Sequence, residues 1–127
     1  MPMHAHAVVW IDHHEARIIL FNRDAVDEKI VHPDHAVHHL HSKAGSRDGA
    51  RAPEDPAFYH DVADALKDTQ SLFVVGPANS KTELVKHLHA HFPELGKRIA
   101  GVEAMERVTD GELLDAARHF FKRADRA

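Results

Sequence analysis

The chain has 127 residues, 43% of them apolar and 28% charged, which is an ordinary composition for one globular domain. Sixteen basic and twenty acidic residues give a formal net charge of −4 with neutral histidines, so the chain lacks the basic footprint of a protein held on nucleic acid by bulk charge. It contains no cysteine, which excludes disulfides, thiolate nucleophiles and cysteine-based zinc sites.

Fourteen histidines make the charge depend on pH. With an ordinary pKa of about 6.5, half of them would be protonated near that pH, moving the net charge by about +7 to roughly +3. Residues 1–12 have no basic region, and only residues 7–11 form an apolar run. We therefore expect neither a signal peptide nor a membrane span, and a cytoplasmic protein.

The first third of the chain predicts a hairpin and a third strand. Strands are predicted over residues 5–12 and 16–21, because their apolar runs do not alternate, which favours strands covered on both faces. The four polar residues 12–15 form the turn of the hairpin. A third strand is predicted over residues 28–32, resuming at 36–41 after the break at Pro33.

Residues 42–54 (SKAGSRDGARAPE) predict a mobile, exposed loop, since they contain two glycines and no large apolar residue.

The remainder predicts helices alternating with strands. Asp55 and Pro56 favour a helix start, as cap and first-turn proline, and this helix runs to about Lys67. Capping-box patterns at residues 80–83 and 109–112 predict two more helices, of which the first ends at Pro93. Strands are predicted at residues 71–76, in the centre of the sheet, and at 98–103.

The resulting order is β-β-β-α-β-α-β-α. A meander followed by right-handed crossovers predicts a single α/β domain with a five-stranded mixed sheet and helices on both faces, the plan of the ribonuclease-H-like superfold.

Residues 72–84 (LFVVGPANSKTEL) resemble the strand, turn and helix of the middle domain of archaeal and eukaryotic class-I release factors and of Pelota, the ribosome-rescue protein. Residues 7–21 are similar to the opening hairpin of that family, and residues 101–121 to the closing strand and helix of its stand-alone bacterial relatives. The resemblance implies a translational role, with the ribosome, rRNA or tRNA as partner.

The resemblance also implies that the family's chemistry is lost. In release factors the loop after the third strand carries Gly-Gly-Gln, whose glutamine enters the peptidyl-transferase centre. Residues 41–52 (HSKAGSRDGARA) have two separated glycines and no glutamine, and Gln70 is the only glutamine of the chain. We therefore expect a non-catalytic protein without a cofactor.

The candidate RNA contacts lie mostly in the predicted loop, where positive side chains can follow an RNA backbone without reading its sequence. A solvated loop without a ligand is the alternative. Lys81 is a further candidate, at a helix start that attracts phosphate, although a P-loop would need glycine where Ser80 stands. The other candidates are His39, His41, Lys43, Arg47 and Arg51.

Two other kinds of function stay open. Histidine pairs, such as His39 with His41 or His87 with His91, suit a weak divalent metal site or a pH response without an RNA partner. Asp12 at the end of the first strand is a candidate nuclease carboxylate, but no second acid lies in residues 71–76, so a turn role is the simpler interpretation. An open sheet edge also allows a dimer.

Overall fold

The computed structural model describes residues 5–33 and 56–126. In chain order the elements are the strands β1 (His6–Ile11), β2 (Ala16–Phe21) and β3 (Val26–Val31), helix α1 (Pro56–Leu66), strand β4 (Ser71–Gly76), helix α2 (Ser80–His91), the single-turn helix α3 (Pro93–Gly96), strand β5 (Ile99–Ala104) and helix α4 (Asp110–Arg126).

The five strands form one mixed sheet, as the sequence predicts, and their order is β3-β2-β1-β4-β5. β2 is antiparallel to β1 and β3, whereas β4 is parallel to β1 and β5. The predicted position of residues 71–76 is wrong in one respect: β1 is the central strand. β1 takes this place because it pairs with its hairpin partner on one side and with the first crossover strand on the other.

The sheet is buried on both faces. Successive side chains of a strand point to opposite faces, so the unbroken apolar run of β1 supplies two cores at once. Helices α1 and α2 cover one face and α4 covers the other, as predicted. The first core includes Val9, Ile11, Val62, Leu66, Leu84 and Leu88. The second core includes Val8, Trp10, Phe73, Leu113 and Phe121.

The predicted capping box at the start of α4 is confirmed. The backbone N–H of Glu112 donates to Thr109 Oγ1 at 3.1 Å, and the N–H of Thr109 donates to Glu112 Oε1 at 2.9 Å. The predicted box at Ser80 and Glu83 is wrong. Asn79 is the N-cap and makes no side-chain capping bond, because Ser80 is already the first helical residue and is 1% exposed.

Two predicted boundaries also need correction. β3 begins at Val26 rather than residue 28, because Asn22 Oδ1 accepts the N–H groups of Asp24 and Ala25, both at 2.9 Å, and closes the turn before it. α2 ends at His91, and Pro93 then starts the separate helix α3. The predicted strand at residues 36–41 and the predicted loop at 42–54 lie outside the described residues.

Across residues 5–33 and 56–126, every helix falls short of the length and apolarity that crossing a membrane would require.

Candidate nucleic-acid interface

One end of the sheet gathers the segments that follow four strands. β1, β3, β4 and β5 run in the same direction, so their carboxyl ends meet at a single edge. We call residues 12–15, 31–33, 77–81 and 105–109 the carboxyl end of the sheet. In open α/β sheets, crevices outside the carboxyl ends of strands are a common place for ligands.

The segment that carries most predicted RNA contacts leaves the sheet at this end. β3 ends at Val31, which pairs with Ala16 beside the turn that follows β1. The chain then reaches Pro33, the last described residue before position 56. His39, His41, Lys43, Arg47 and Arg51 all lie outside the described residues, so their part in binding stays a prediction.

Asp12 closes the hairpin turn at the carboxyl end. Its Oδ1 accepts the backbone N–H of His14 at 2.8 Å and that of Glu15 at 3.0 Å, and its own N–H donates to the Glu15 carbonyl at 3.0 Å. The turn role predicted for Asp12 is therefore confirmed. One oxygen of this carboxylate is already committed to the backbone.

Lys81 lies at the carboxyl end, in the first turn of α2. Its Nζ donates to the Ala78 carbonyl at 2.5 Å, so the ammonium group folds back over the turn between β4 and α2. Gly76 explains the shape of that turn, because a Cβ at this position would lie 2.3 Å from the Ile11 carbonyl oxygen. The β4–β1 contact therefore requires glycine there, independently of any ligand.

Trp10 connects this end of the sheet to the segment before α4, a relationship that the sequence analysis missed. Its Nε1 donates to the carbonyls of Met105 at 3.2 Å and Glu106 at 3.1 Å. The guanidinium carbons of Arg17 and Arg107 lie 5.7 and 5.3 Å from the ring centre, within cation–π range. A tryptophan in an apolar strand predicts that its indole N–H has a hydrogen-bond acceptor, but the sequence does not identify that acceptor.

The described side chains do not make the carboxyl end strongly basic. Lys81 and Arg107 are the exposed or half-buried lysine and arginine among its described residues, and Arg107 Nη2 forms an ion pair with Glu15 Oε2 at 2.7 Å. Asp12 and Glu106 add negative charge. The described side chains therefore do not by themselves give this end a positive potential.

The histidines of α1 and α2 form a separate group. The ring centres of His87 and His91 are 4.6 Å apart, and His60 is 6.3 Å from His87. Burial, followed by the charges of His91 and His60, lowers the pKa of His87. The predicted proximity of His87 and His91 is confirmed. No group of three or more histidine, aspartate or glutamate side chains is placed to hold a metal ion within residues 5–33 and 56–126.

No protein-family model and no curated protein sequence matches the chain. Solved structures do match. The chain is similar to Archaeoglobus fulgidus Pelota, with a TM-score of 0.63 and 17% identity over 90% of this chain and 30% of that one. It is similar to the archaeal translation termination factor aRF1, with a TM-score of 0.57 and 14% identity over 89% of this chain and 33% of that one. For Saccharomyces cerevisiae Dom34 the TM-score is 0.52, with 11% identity over 79% and 29% of the two chains.

The chain thus has the fold of one part of the Pelota and release-factor structures. It spans about a third or less of the length of each. Identities this low relate the folds and leave the activity to be argued from the residues.

Proposed function

We propose that this is a non-catalytic, ribosome- or RNA-associated protein related to translation release and rescue factors. The observation that carries the proposal is the likeness to Pelota over 90% of the chain. The two other neighbours are described as an archaeal translation termination factor and as a translation termination-like factor involved in RNA quality control pathways. A cytoplasmic location and the ribonuclease-H-like topology belong to the same proposal.

Binding would use the segment that leaves the sheet after Pro33. Its three cations and the partly protonated His39 and His41 would contact RNA phosphates, which position a protein without reading sequence. Lys81 would add a contact from the carboxyl end of the sheet. The three cations of the segment are Lys43, Arg47 and Arg51.

Co-sedimentation with ribosomes tests this proposal. We expect the protein to pellet with ribosomes at low salt and to be released as salt rises, since phosphate contacts displace counterions. Replacing Lys43, Arg47 and Arg51 by alanine should weaken the interaction. The logarithmic slope of its salt dependence should fall by about one for each phosphate that is no longer neutralised.

A matched control removes three lysines elsewhere on the surface. Lys67, Lys86 and Lys97 are 67%, 70% and 71% exposed, and each pairs with a carboxylate three residues earlier. Their triple alanine variant changes the net charge equally and should leave co-sedimentation as it is. Absence of wild-type protein from the ribosome pellet in growing and in stressed cells would refute the proposal.

The absence of catalysis is part of the proposal. The missing glutamine in residues 41–52 supports it, as does the engagement of Asp12 in the hairpin turn. A metal-dependent nuclease would degrade RNA in the presence of Mg²⁺ and lose this activity in an Asp12→Asn variant. We expect no such activity in either protein.

Histidine chemistry is the second candidate function. Its support is the pair His87 and His91, whose ring centres are 4.6 Å apart. The Nε2 of His87 is buried and makes no hydrogen bond in the described part of the chain. Calorimetry with zinc and nickel discriminates between the candidates. Sub-micromolar binding lost in a His87→Ala or His39→Ala variant would favour a metal-binding protein, and millimolar binding would dismiss it.

A dimer through β3 is also proposed. Among the strands of residues 5–33 and 56–126, β3 lies at an edge of the sheet, and its Val26 and Ile30 are 44% and 56% exposed. Antiparallel pairing of two copies about Glu28 would set Val26 against Ile30 and Asp27 against Lys29, at the cost of one Glu28–Glu28 contact. Analytical ultracentrifugation should show a dimer that Ile30→Lys dissociates, and a monomeric wild-type protein at about 100 μM would contradict this.

A further inference from the structure

A concave site lies at the opposite end of the sheet from the carboxyl end. It is a cavity of about 450 Å³, within the range of about 300–1,000 Å³ that small-molecule sites occupy. The start of β1, the turn between β2 and β3 and the second half of α4 line it. It is therefore remote from Pro33, the residue at which the chain leaves the sheet toward the proposed ribosome contacts.

The floor of this cavity is aromatic. Phe21 and Phe121 are 2% and 3% exposed and meet edge to face with ring centres 6.0 Å apart. The half-buried His6 lies above them, 4.2 Å from Phe121 and 5.6 Å from Phe21. A planar group entering the cavity would meet the imidazole of His6, backed by two nearly buried rings.

The rim is positively charged. Arg23, Arg118 and Lys122 line the cavity, and within the described part of the chain none of them is paired with a carboxylate. The Arg118 guanidinium carbon lies 5.3 Å from the Phe21 ring centre, so this cation packs on the aromatic floor.

The acidic side chain of the rim is Asp115, whose Oδ2 lies 3.8 Å from His119 Nδ1. The rim therefore concentrates an excess of positive charge on a chain whose net charge is −4. A concave, positive surface on an acidic protein attracts anions selectively, and guanidinium groups suit phosphate oxygens in particular.

We propose that this cavity binds a nucleoside phosphate. Arg118, Lys122 and Arg23 hold the phosphate, and the base lies against His6. A ligand that carries both a ring and a phosphate uses the whole site. An inorganic anion would contact the cationic rim and not the aromatic floor, and an uncharged ring would contact the floor and not the three cations. A free mononucleotide and an unstacked nucleotide of RNA present the same chemistry, since bases stack on aromatic side chains regardless of sequence.

Calorimetry on the full chain tests the site with AMP and ADP, with adenosine and inorganic phosphate as the two half-ligands, and with a single-stranded RNA of about ten nucleotides. We expect ADP to bind about tenfold or more tighter than either half-ligand, because both halves of the site are then engaged. Arg118→Glu should abolish binding, and Lys122→Gln and His6→Ala should each weaken it. Lys86→Gln, at an exposed position on α2, should leave binding unchanged.

The outcomes separate the two sources of the ligand. Binding of ADP that is lost in Arg118→Glu identifies a site for free nucleotides. Binding of the oligonucleotide alone, again lost in Arg118→Glu, identifies a nucleotide within RNA, and both results support the proposal. It is overturned if inorganic phosphate binds as tightly as ADP, if no ligand binds, or if folded Arg118→Glu protein binds like the wild type.

Ribosome co-sedimentation of Arg118→Glu distinguishes this inference from the proposed function. The cavity and Pro33, where the chain leaves the sheet, lie at different ends of the sheet, so each proposal can fail while the other holds. Circular dichroism and thermal melting establish that the variant is folded before its binding is compared.

Discussion

The guanidinium group of Arg17 in β2 forms a hydrogen-bonded ion pair with the carboxylate of Asp110, the first residue of α4. Arg17 Nη2 and Nε lie 2.5 and 3.1 Å from Asp110 Oδ1, and Nη1 donates to the Val108 carbonyl at 2.7 Å. The side chain of Arg17 is 10% exposed and that of Asp110 41%. The pair therefore fixes the beginning of α4 on the sheet, where a carboxylate also suits the helix dipole.

Removing the carboxylate of Asp110 should destabilise the protein, because the nearly buried guanidinium group of Arg17 loses its ion pair. We expect Asp110→Ala to lower the free energy of unfolding by about 1–3 kcal/mol, because Arg17 then loses its charged partner inside the protein. Asp115→Ala, which removes an exposed carboxylate from the same helix, should cost about 0.5 kcal/mol or less. Urea unfolding of both variants measures the difference, and equal losses would contradict the role given to Arg17.

The two helix starts should respond differently to loss of a hydroxyl group. Thr109→Ala removes a capping bond to the Glu112 N–H and should destabilise the protein by about 1 kcal/mol. Ser80→Ala should cost about 0.5 kcal/mol or less, since Ser80 makes no capping bond and its Oγ has only a 3.5 Å contact with His13 Nδ1. Thermal melting compares the stabilities of the two variants. A larger loss of stability for Ser80→Ala than for Thr109→Ala would show that Ser80 does cap α2, as the sequence predicts.

Gly76 and Gly111 should respond to alanine with opposite signs. At Gly76 the added methyl would lie 2.3 Å from the Ile11 carbonyl oxygen, so β4 must move away from β1, at a cost of about 1–3 kcal/mol. At Gly111, in the first turn of α4, the nearest atom is 4.0 Å away, and alanine should stabilise the helix by about 0.5–1 kcal/mol. Denaturant midpoints measure both effects. An unchanged stability in Gly76→Ala would show that β1 and β4 can separate at this position without cost.

Stability should fall as the pH drops through the range in which His87 is protonated. Burial and the neighbouring His91 lower the pKa of His87 in the folded protein, whereas the unfolded chain has the ordinary value of about 6.5. Below that pH the unfolded chain binds the proton more readily, so the contribution of His87 to stability is present above 6.5 and is lost as the pH falls.

A substitution at His87 tests this dependence. In His87→Gln the free energy of unfolding should decrease less between about pH 7.5 and pH 5.5 than it does in the wild type. His89→Gln, on the exposed side of the same helix, serves as control and should keep the wild-type dependence. The same pH dependence in His87→Gln as in the wild type would show that His87 is not a source of acid sensitivity.

Local patterns account for the parts of the fold that the sequence predicts. The apolar runs of β1 and β2, the polar turn at Asp12 and the capping box at Thr109 are each decided within a few residues, and the structure confirms them. The capping box predicted at residues 80–83 is wrong although the residue types fit one. Ser80 is buried beside the hairpin turn and is the first residue of the helix rather than its N-cap. No local pattern marks the helix that begins at Pro93, since the proline suits both a helix end and a helix start.

The sites are harder to predict because they join distant parts of the chain. Trp10 finds its hydrogen-bond acceptors at Met105 and Glu106, and the cavity brings His6 together with Arg118. The residues in each relationship are far apart in the sequence, so no periodic pattern of residues predicts that they meet. Of the predicted RNA contacts only Lys81 falls on the described residues, so the others stay predictions.

The parallel pairing of β1 with β4 has a consequence for how the chain can vary. It joins Val8 to Phe73, across β2, β3, residues 34–55 and α1. The entropy of closing the connection between two paired strands grows only logarithmically with the length of the connection, so doubling that length costs about 0.6 kcal/mol. The sheet can therefore tolerate segments of very different length and chemistry between Pro33 and Pro56. A sequence suited to one partner could be exchanged there for a sequence suited to another while the sheet stays intact.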